Sequence, residues 1–182
     1  MNSADHAHAE EPVANLFTGD DVLAILLERH WLAGETSPEQ IAWCEHAAAL
    51  LGHYFQDSAG LAGLLQLVFE YDAELILKHV DAHAILARHS ARDVIRHLAL
   101  LLLEGPSLDS DRFKQIVASL KDVLQFRSRD LFHPIRLALT GRTGEGELDR
   151  VILLLDEAAA LPFAVPVKSA RARILEFGAA LD

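Results

Sequence analysis

Residues 130–141 read Asp130-Leu131-Phe132-His133-Pro134-Ile135-Arg136-Leu137-Ala138-Leu139-Thr140-Gly141, and the reading of this run decides the fold. Pro134 fixes φ for a helix start, where its missing N–H goes unneeded. Leu131 and Phe132 pack just ahead of it, Leu139 lies beneath it, and Gly141 ends the helix by taking a left-handed conformation. Arg136 then falls in the first turn, where the dipole disfavours a cation, so a compensating partner is required. A phosphate or a nucleotide base is one candidate, and a buried carboxylate is the other.

Outward from this run the helical pattern continues in both directions. Ser107 to Leu124 places Phe113, Ile116, Val117, Leu120 and Leu124 on one face, and Gly105-Pro106 breaks the chain before it. After the Thr143-Gly144-Glu145-Gly146 turn, a helix is expected from Leu148 to about Leu161. Pro162 and Pro166 interrupt the tail before Lys168 to Leu181 resumes helix. Upstream, helices open at Gly19-Asp20-Asp21, at Ser37-Pro38-Glu39-Gln40, at Ser58, near Asp72 and at Ser90. Ser37 and Gln40 have the spacing of a reciprocal cap. No strand pattern appears, and the Leu- and Ala-rich composition favours helix. The expected fold is all-α, a bundle or cage of eight to ten short helices. Three parts are expected: a flexible acidic tail over 1–15, an N-terminal helical lobe over 16–105, and a C-terminal helical lobe over 106–182 carrying the Leu131–Gly141 run.

The chain has 182 residues, of which 51% are hydrophobic, enough for a substantial core. The single cysteine, Cys44, excludes an intramolecular disulfide and a cysteine-based zinc cluster. The polar N-terminus lacks the apolar run of a signal peptide, and the longest apolar run, Leu98 to Leu103, is too short to cross a bilayer. A soluble cytoplasmic protein with no membrane contact is expected. A formal net charge of -11 argues against indiscriminate nucleic-acid binding. Between Arg112 and Arg142, however, seven basic residues (Arg112, Lys114, Lys121, Arg127, Arg129, Arg136, Arg142) face two acidic ones, Asp122 and Asp130.

The 130–141 run resembles a signature of bacterial glutamyl-tRNA synthetases, a basic Gly-Lys-x-Leu-Phe-x-Pro-Leu-Arg-x-Ala-Leu-Thr-Gly sequence late in their C-terminal anticodon-binding region. The Leu-rich segment Val151-Ile152-Leu153-Leu154-Leu155 follows in family order, and Phe69-Glu70-Tyr71-Asp72 is similar to an aromatic-acidic segment of that region. The likeness is strong over 105–156, extends over 40–105, and is poor at both ends. It implies an all-helical tRNA-binding module with glutamate tRNA as the first candidate ligand, and a separate synthetase or another protein as a further candidate partner. The residues it singles out for RNA are Arg127, Arg129, Arg136, Thr140, Arg142 and Leu148. Two departures weigh against direct anticodon reading: the loop after Gly141 gains Glu145 and Glu147 where the family has a proline, and Gly52-His53-Tyr54 stands in place of a family run containing an arginine. These favour a second function, a protein-interaction or regulatory domain that kept the fold and lost RNA.

The synthetase His-x-Gly-His-like and Lys-Met-Ser-Lys-Ser-like motifs are absent, and no strand-loop-helix unit exists to hold ATP. Val167-Lys168-Ser169 is only an echo of the latter. No catalytic residue, cofactor or metal is therefore expected. Arg88, Arg92 and Arg96, at i, i+4 and i+8, read as a secondary basic stripe along one helix face. His79 and His83 share a helical face but lack a third ligand. Trp31, Trp43, Tyr54, Phe55, Phe69 and Tyr71 read mainly as core rather than as a base-stacking platform.

Overall fold

The structure, a computed structural model, describes residues 14–182. The first residues of the expected tail lie outside the described residues, but Asn15 is anchored: its side-chain amide donates to the Ala48 carbonyl at 2.8 Å. Among the described residues the chain forms eleven helices and no strand. In order they are α1 (Gly19–Glu28), α2 (Pro38–Leu51), α3 (Ser58–Phe69), α4 (Ala73–Ile76), α5 (Val80–Leu86) and α6 (Ala91–Leu103). The second half adds α7 (Ser110–Leu124), α8 (Arg129–Thr140), α9 (Gly146–Ile152), α10 (Leu155–Ala159) and α11 (Ala170–Leu181).

Local sequence sets most of the boundaries. Ser37 Oγ accepts from the Gln40 N–H at 3.2 Å while Gln40 Oε1 accepts from the Ser37 N–H at 2.9 Å, the reciprocal cap read from the sequence. Asp57, Asp72 and Asp109 cap α3, α4 and α7 through the N–H groups of Gly60, Leu75 and Arg112. The α7 start therefore lies later than Ser107, because the Leu108 N–H is taken by the Asp156 carboxylate at 2.6 Å. The expected single helix from Leu148 to Leu161 is two, α9 and α10. At the break the Leu154 N–H reaches back only three residues, to the Val151 carbonyl at 3.0 Å, while the Leu154 carbonyl accepts from both the Ala158 N–H at 3.2 Å and the Trp43 indole N–H at 3.3 Å.

Pro134 does not open its helix. It lies inside α8, which starts one turn earlier at Arg129. An interior proline leaves the carbonyl four residues back without its usual partner. Here that carbonyl is Asp130's, and the Ser90 hydroxyl donates to it at 3.0 Å from a fully buried position. Ser90→Ala should therefore remove about 1–2 kcal/mol in urea unfolding, the penalty for orphaning a buried acceptor. A loss below a few tenths would show that water reaches the carbonyl instead. Gly141 does end α8 as read, at φ +78, and a Cβ there would stand 2.7 Å from the Ile76 side chain.

The core is continuous across the sequence halves. Trp31 stacks on Phe69 at 4.8 Å between ring centroids, and Trp43 and Phe163 meet Phe69 edge-on at 5.7 and 5.1 Å. These aromatics are core. Helix α6 packs on α8 and α11, α8 on α9, and both α2 and α3 on α9. Arg173, which no sequence feature had marked, is fully buried at the centre. Its guanidinium donates to the carbonyls of Lys168, Leu67, Leu139 and Val68 at 2.9, 2.7, 3.0 and 2.6 Å and lies over the Tyr71 ring. Leu67 and Val68 belong to the last turn of α3 and Leu139 to that of α8, so one cation satisfies the negative ends of two helices. Burial pulls its pKa down to about 10, still cationic at neutral pH.

Candidate nucleic-acid interface

Helix α8 carries the arginine at the centre of the sequence reading, and its side chain turns inward. Arg136 is 7% exposed. Its Nε and Nη2 donate to the two Asp149 carboxylate oxygens at 2.8 Å each, and Nη1 donates to the Gly144 carbonyl at 2.9 Å. This is a two-pronged guanidinium–carboxylate pair, with Glu145 3.8 Å from Nη1 as a weaker neighbour. Burial opposes the charge, but the Asp149 hydrogen bonds and the Asp149, Glu145 and Glu147 carboxylates outweigh it and hold the pKa above the usual arginine range. The compensating partner is thus a carboxylate. The acids added to the loop serve this internal cation.

Thr140 and Leu148 are likewise internal. The Thr140 hydroxyl donates to the Arg136 carbonyl at 2.7 Å and accepts from the Arg142 N–H at 3.3 Å, and Leu148 is 3% exposed. Arg136, Thr140 and Leu148, all expected to face RNA, are thus buried within the fold. Together they fold residues 142–145 back against α8 and α9, which fixes where Arg142 emerges.

The other three primary residues, Arg127, Arg129 and Arg142, are exposed, and no ion pair to them exists among the described residues. Arg127 and Arg129 flank Ser128, whose φ of 51 is unusual for a residue with a side chain, three residues after Gln125 at φ 60. The secondary stripe is divided between two elements. Arg92 and Arg96 are exposed on α6, whereas Arg88 sits in the turn before it and cannot share their helix face. Arg88 turns to α8 instead, its Nη1 3.2 Å from His133 Nδ1. The same turn meets the α7–α8 connection through the His89–Phe126 ring contact at 5.4 Å and the Ser90–Asp130 hydrogen bond. Two basic segments some forty residues apart in sequence thereby become one surface, carrying Arg88, Arg127 and Arg129.

Arg142 stands at the opposite end of α8, roughly 18 Å away by helical rise over its 12 residues. It lines a cleft of about 400 Å³ with His79, Asp81, Ala82, Leu137 and Thr143, and a second of about 240 Å³ with Glu70, Tyr71, Asp72 and His79. Helix α5 packs on α8. Other features of the sequence are accounted for by structure alone. Lys168 donates to the Tyr71 carbonyl at 2.9 Å and pairs with Glu176 at 2.5 Å. Cys44 is buried, and burial pushes its thiol up to about 11, an unreactive state. Among the described residues no three His, Cys, Asp or Glu side chains converge as a metal site, and no helix is long and apolar enough to cross a membrane.

Comparison with known proteins bears on this geometry. A family model described as "Anticodon binding domain" matches residues 22–161. The chain belongs to that family. The match begins well before residue 40, so α1 is part of the family unit although its sequence alone did not suggest so. Among curated relatives, glutamate–tRNA ligase 2 of Syntrophus aciditrophicus (strain SB) is 39% identical over 77 residues, covering 42% of this chain and 16% of that protein. The glutamate–tRNA ligase of Bacillus pumilus (strain SAFR-032) is 28% identical over 146 residues, covering 78% of this chain and 30% of that protein. That of Carboxydothermus hydrogenoformans is 33% identical over 90 residues, or 50% and 18%. The chain thus spans less than a third of the length of these relatives. No solved structure matches.

In this anticodon-binding domain, two residues that decide the site were missed by sequence reading. Asp149 was legible only as an unnamed carboxylate that Arg136 would need. Ser90 became visible once Pro134 was placed inside a helix rather than at its start.

Proposed function

We propose that this anticodon-binding domain engages tRNA, with glutamate tRNA the first ligand to test, through the exposed arginines Arg127, Arg129 and Arg142 joined by Arg88. Membership of the family supports an RNA ligand, and the curated glutamate–tRNA ligases it resembles suggest which tRNA. The observation that carries the reading is the face itself. In a chain of net charge -11, Arg88, Arg127 and Arg129 gather at one end of α8 and Arg142 stands at the other, none with an ion-pair partner among the described residues, while Arg136, with its carboxylate fork, is withdrawn into the fold. The residues present bind RNA in this reading and do not activate an amino acid.

Binding of this kind releases counterions. Fluorescence titration against unfractionated tRNA should give an affinity that falls with salt by about 0.7–0.9 log unit per log salt for each phosphate contacted, hence a total slope of about 2–4. A salt-independent affinity, or none at 50 mM salt, would remove the proposal.

A second reading, a protein partner, is favoured by one specific feature. An apolar cleft of about 530 Å³ between α2 and α10 is lined by Ala42, Ala160 and Leu161 over the buried Trp43, and rimmed by Glu39, Glu157 and His46. Protein binding there that persists without RNA would support this reading.

A further inference from the structure

The contact between Arg88 and His133 unites two groups that ordinarily repel when charged. A guanidinium has no acceptor, so at 3.2 Å Arg88 must donate and His133 Nδ1 must accept. The imidazole is then neutral, with its proton on Nε2. Arg129 lies one turn before His133 on the same face of α8, and neither Arg88 nor Arg129 has an ion-pair partner among the described residues. The arrangement is clamped from both sides by the Ser90–Asp130 hydrogen bond and the His89–Phe126 contact.

The charged surroundings of His133 come from three segments. Arg88 approaches from the α5–α6 turn, Arg129 and Arg136 from α8, and Glu145 from the loop ahead of α9, with Asp130 also in the first turn of α8. Burial first, then the three arginines, keep the imidazole pKa below its usual range, while Glu145 only partly offsets them. Donors thus converge here with too few acceptors.

We propose that Arg88, Arg129 and His133 form a phosphate site for an RNA phosphodiester, and that His133 takes up one proton as the phosphate docks. The RNA source rests on the tRNA reading above; the phosphate chemistry does not. A phosphate between the arginines offsets the repulsion that keeps the proton off. A proton taken from solvent onto Nδ1 ends the hydrogen bond from Arg88. That frees an Arg88 N–H for the phosphate and makes both imidazole nitrogens donors. Binding therefore strengthens as pH falls through the histidine range, in the direction opposite to the unliganded preference for neutral His133.

The test is an NMR titration of the His133 ring in the full chain, alone, with inorganic phosphate, and with an anticodon stem-loop RNA. His46, on α2 against Glu157 and away from this face, serves as the reference ring. The His133 pKa should rise by about one unit with RNA, so that binding tightens as pH falls from 8 towards 5.5, up to a limit of about tenfold from this group. Arg88→Gln should abolish the rise, with unchanged thermal unfolding showing that the fold is intact. A rise with inorganic phosphate but no RNA binding keeps the phosphate site and removes the tRNA reading. RNA binding that leaves the His133 pKa unmoved overturns the site and leaves the tRNA reading standing. No response to either ligand overturns both.

Discussion

Arg173→Met is expected to lower the unfolding free energy by on the order of 3–5 kcal/mol, a large share of the 5–15 kcal/mol typical of a domain. Methionine fills much of the same space but donates nothing. The carbonyls of Lys168, Leu67, Leu139 and Val68, all served by this one guanidinium, would be left unpaired in the core. Arg173→Lys should recover only part of the loss, because one ammonium with three donors cannot span carbonyls drawn from α3, α8 and the segment before α11. Urea unfolding followed by far-ultraviolet circular dichroism measures both. A change below 1 kcal/mol for the methionine variant would mean that the helix ends find other donors, and that Arg173 is not the link between the sequence halves.

The second large effect separates structure from recognition at Arg136. Arg136→Ala leaves Asp149 without its partner and the Gly144 carbonyl without its donor, and is expected to destabilise by about 3–5 kcal/mol. The double variant Arg136→Met with Asp149→Leu should recover most of that loss, since a buried pair replaced by apolar groups is often neutral. Its RNA affinity, measured below its unfolding transition, should stay within about threefold of the parent's. An affinity loss of a hundredfold in a folded double variant would instead place Arg136 on the RNA.

The helical architecture was readable because its signals are local. Capping at Ser37, the left-handed stop at Gly141 and the apolar stripe of α7 each depend on neighbours within four residues. The site was only half readable, for a physical reason. An arginine's type and place in a helix say that it needs an anion, but not whether the anion is Asp149 thirteen residues on or a phosphate in solution. The same limit hid Arg173, whose partners lie up to 106 residues away. It also made Arg88 look like the start of a stripe with Arg92 and Arg96, when the turn between α5 and α6 sends it to His133. The Leu-rich 148–161 segment kept its helical pattern, yet it splits at Leu153-Leu154, where the Trp43 indole of α2 meets the Leu154 carbonyl from 111 residues away in sequence.

The central claim is that cations from the α5–α6 turn, the α7–α8 connection and the loop after Gly141 act together on RNA. Its most direct measurement is tRNA affinity at 50 and 200 mM salt for the parent chain and for a variant carrying Arg88, Arg127, Arg129 and Arg142 all changed to alanine. These side chains hold no buried carboxylate, so the variant should fold as the parent does. A loss of at least a hundredfold at low salt, with a salt slope nearer zero by about 2–4, is the predicted result. Equal retention of tRNA by both proteins at both salts would contradict it.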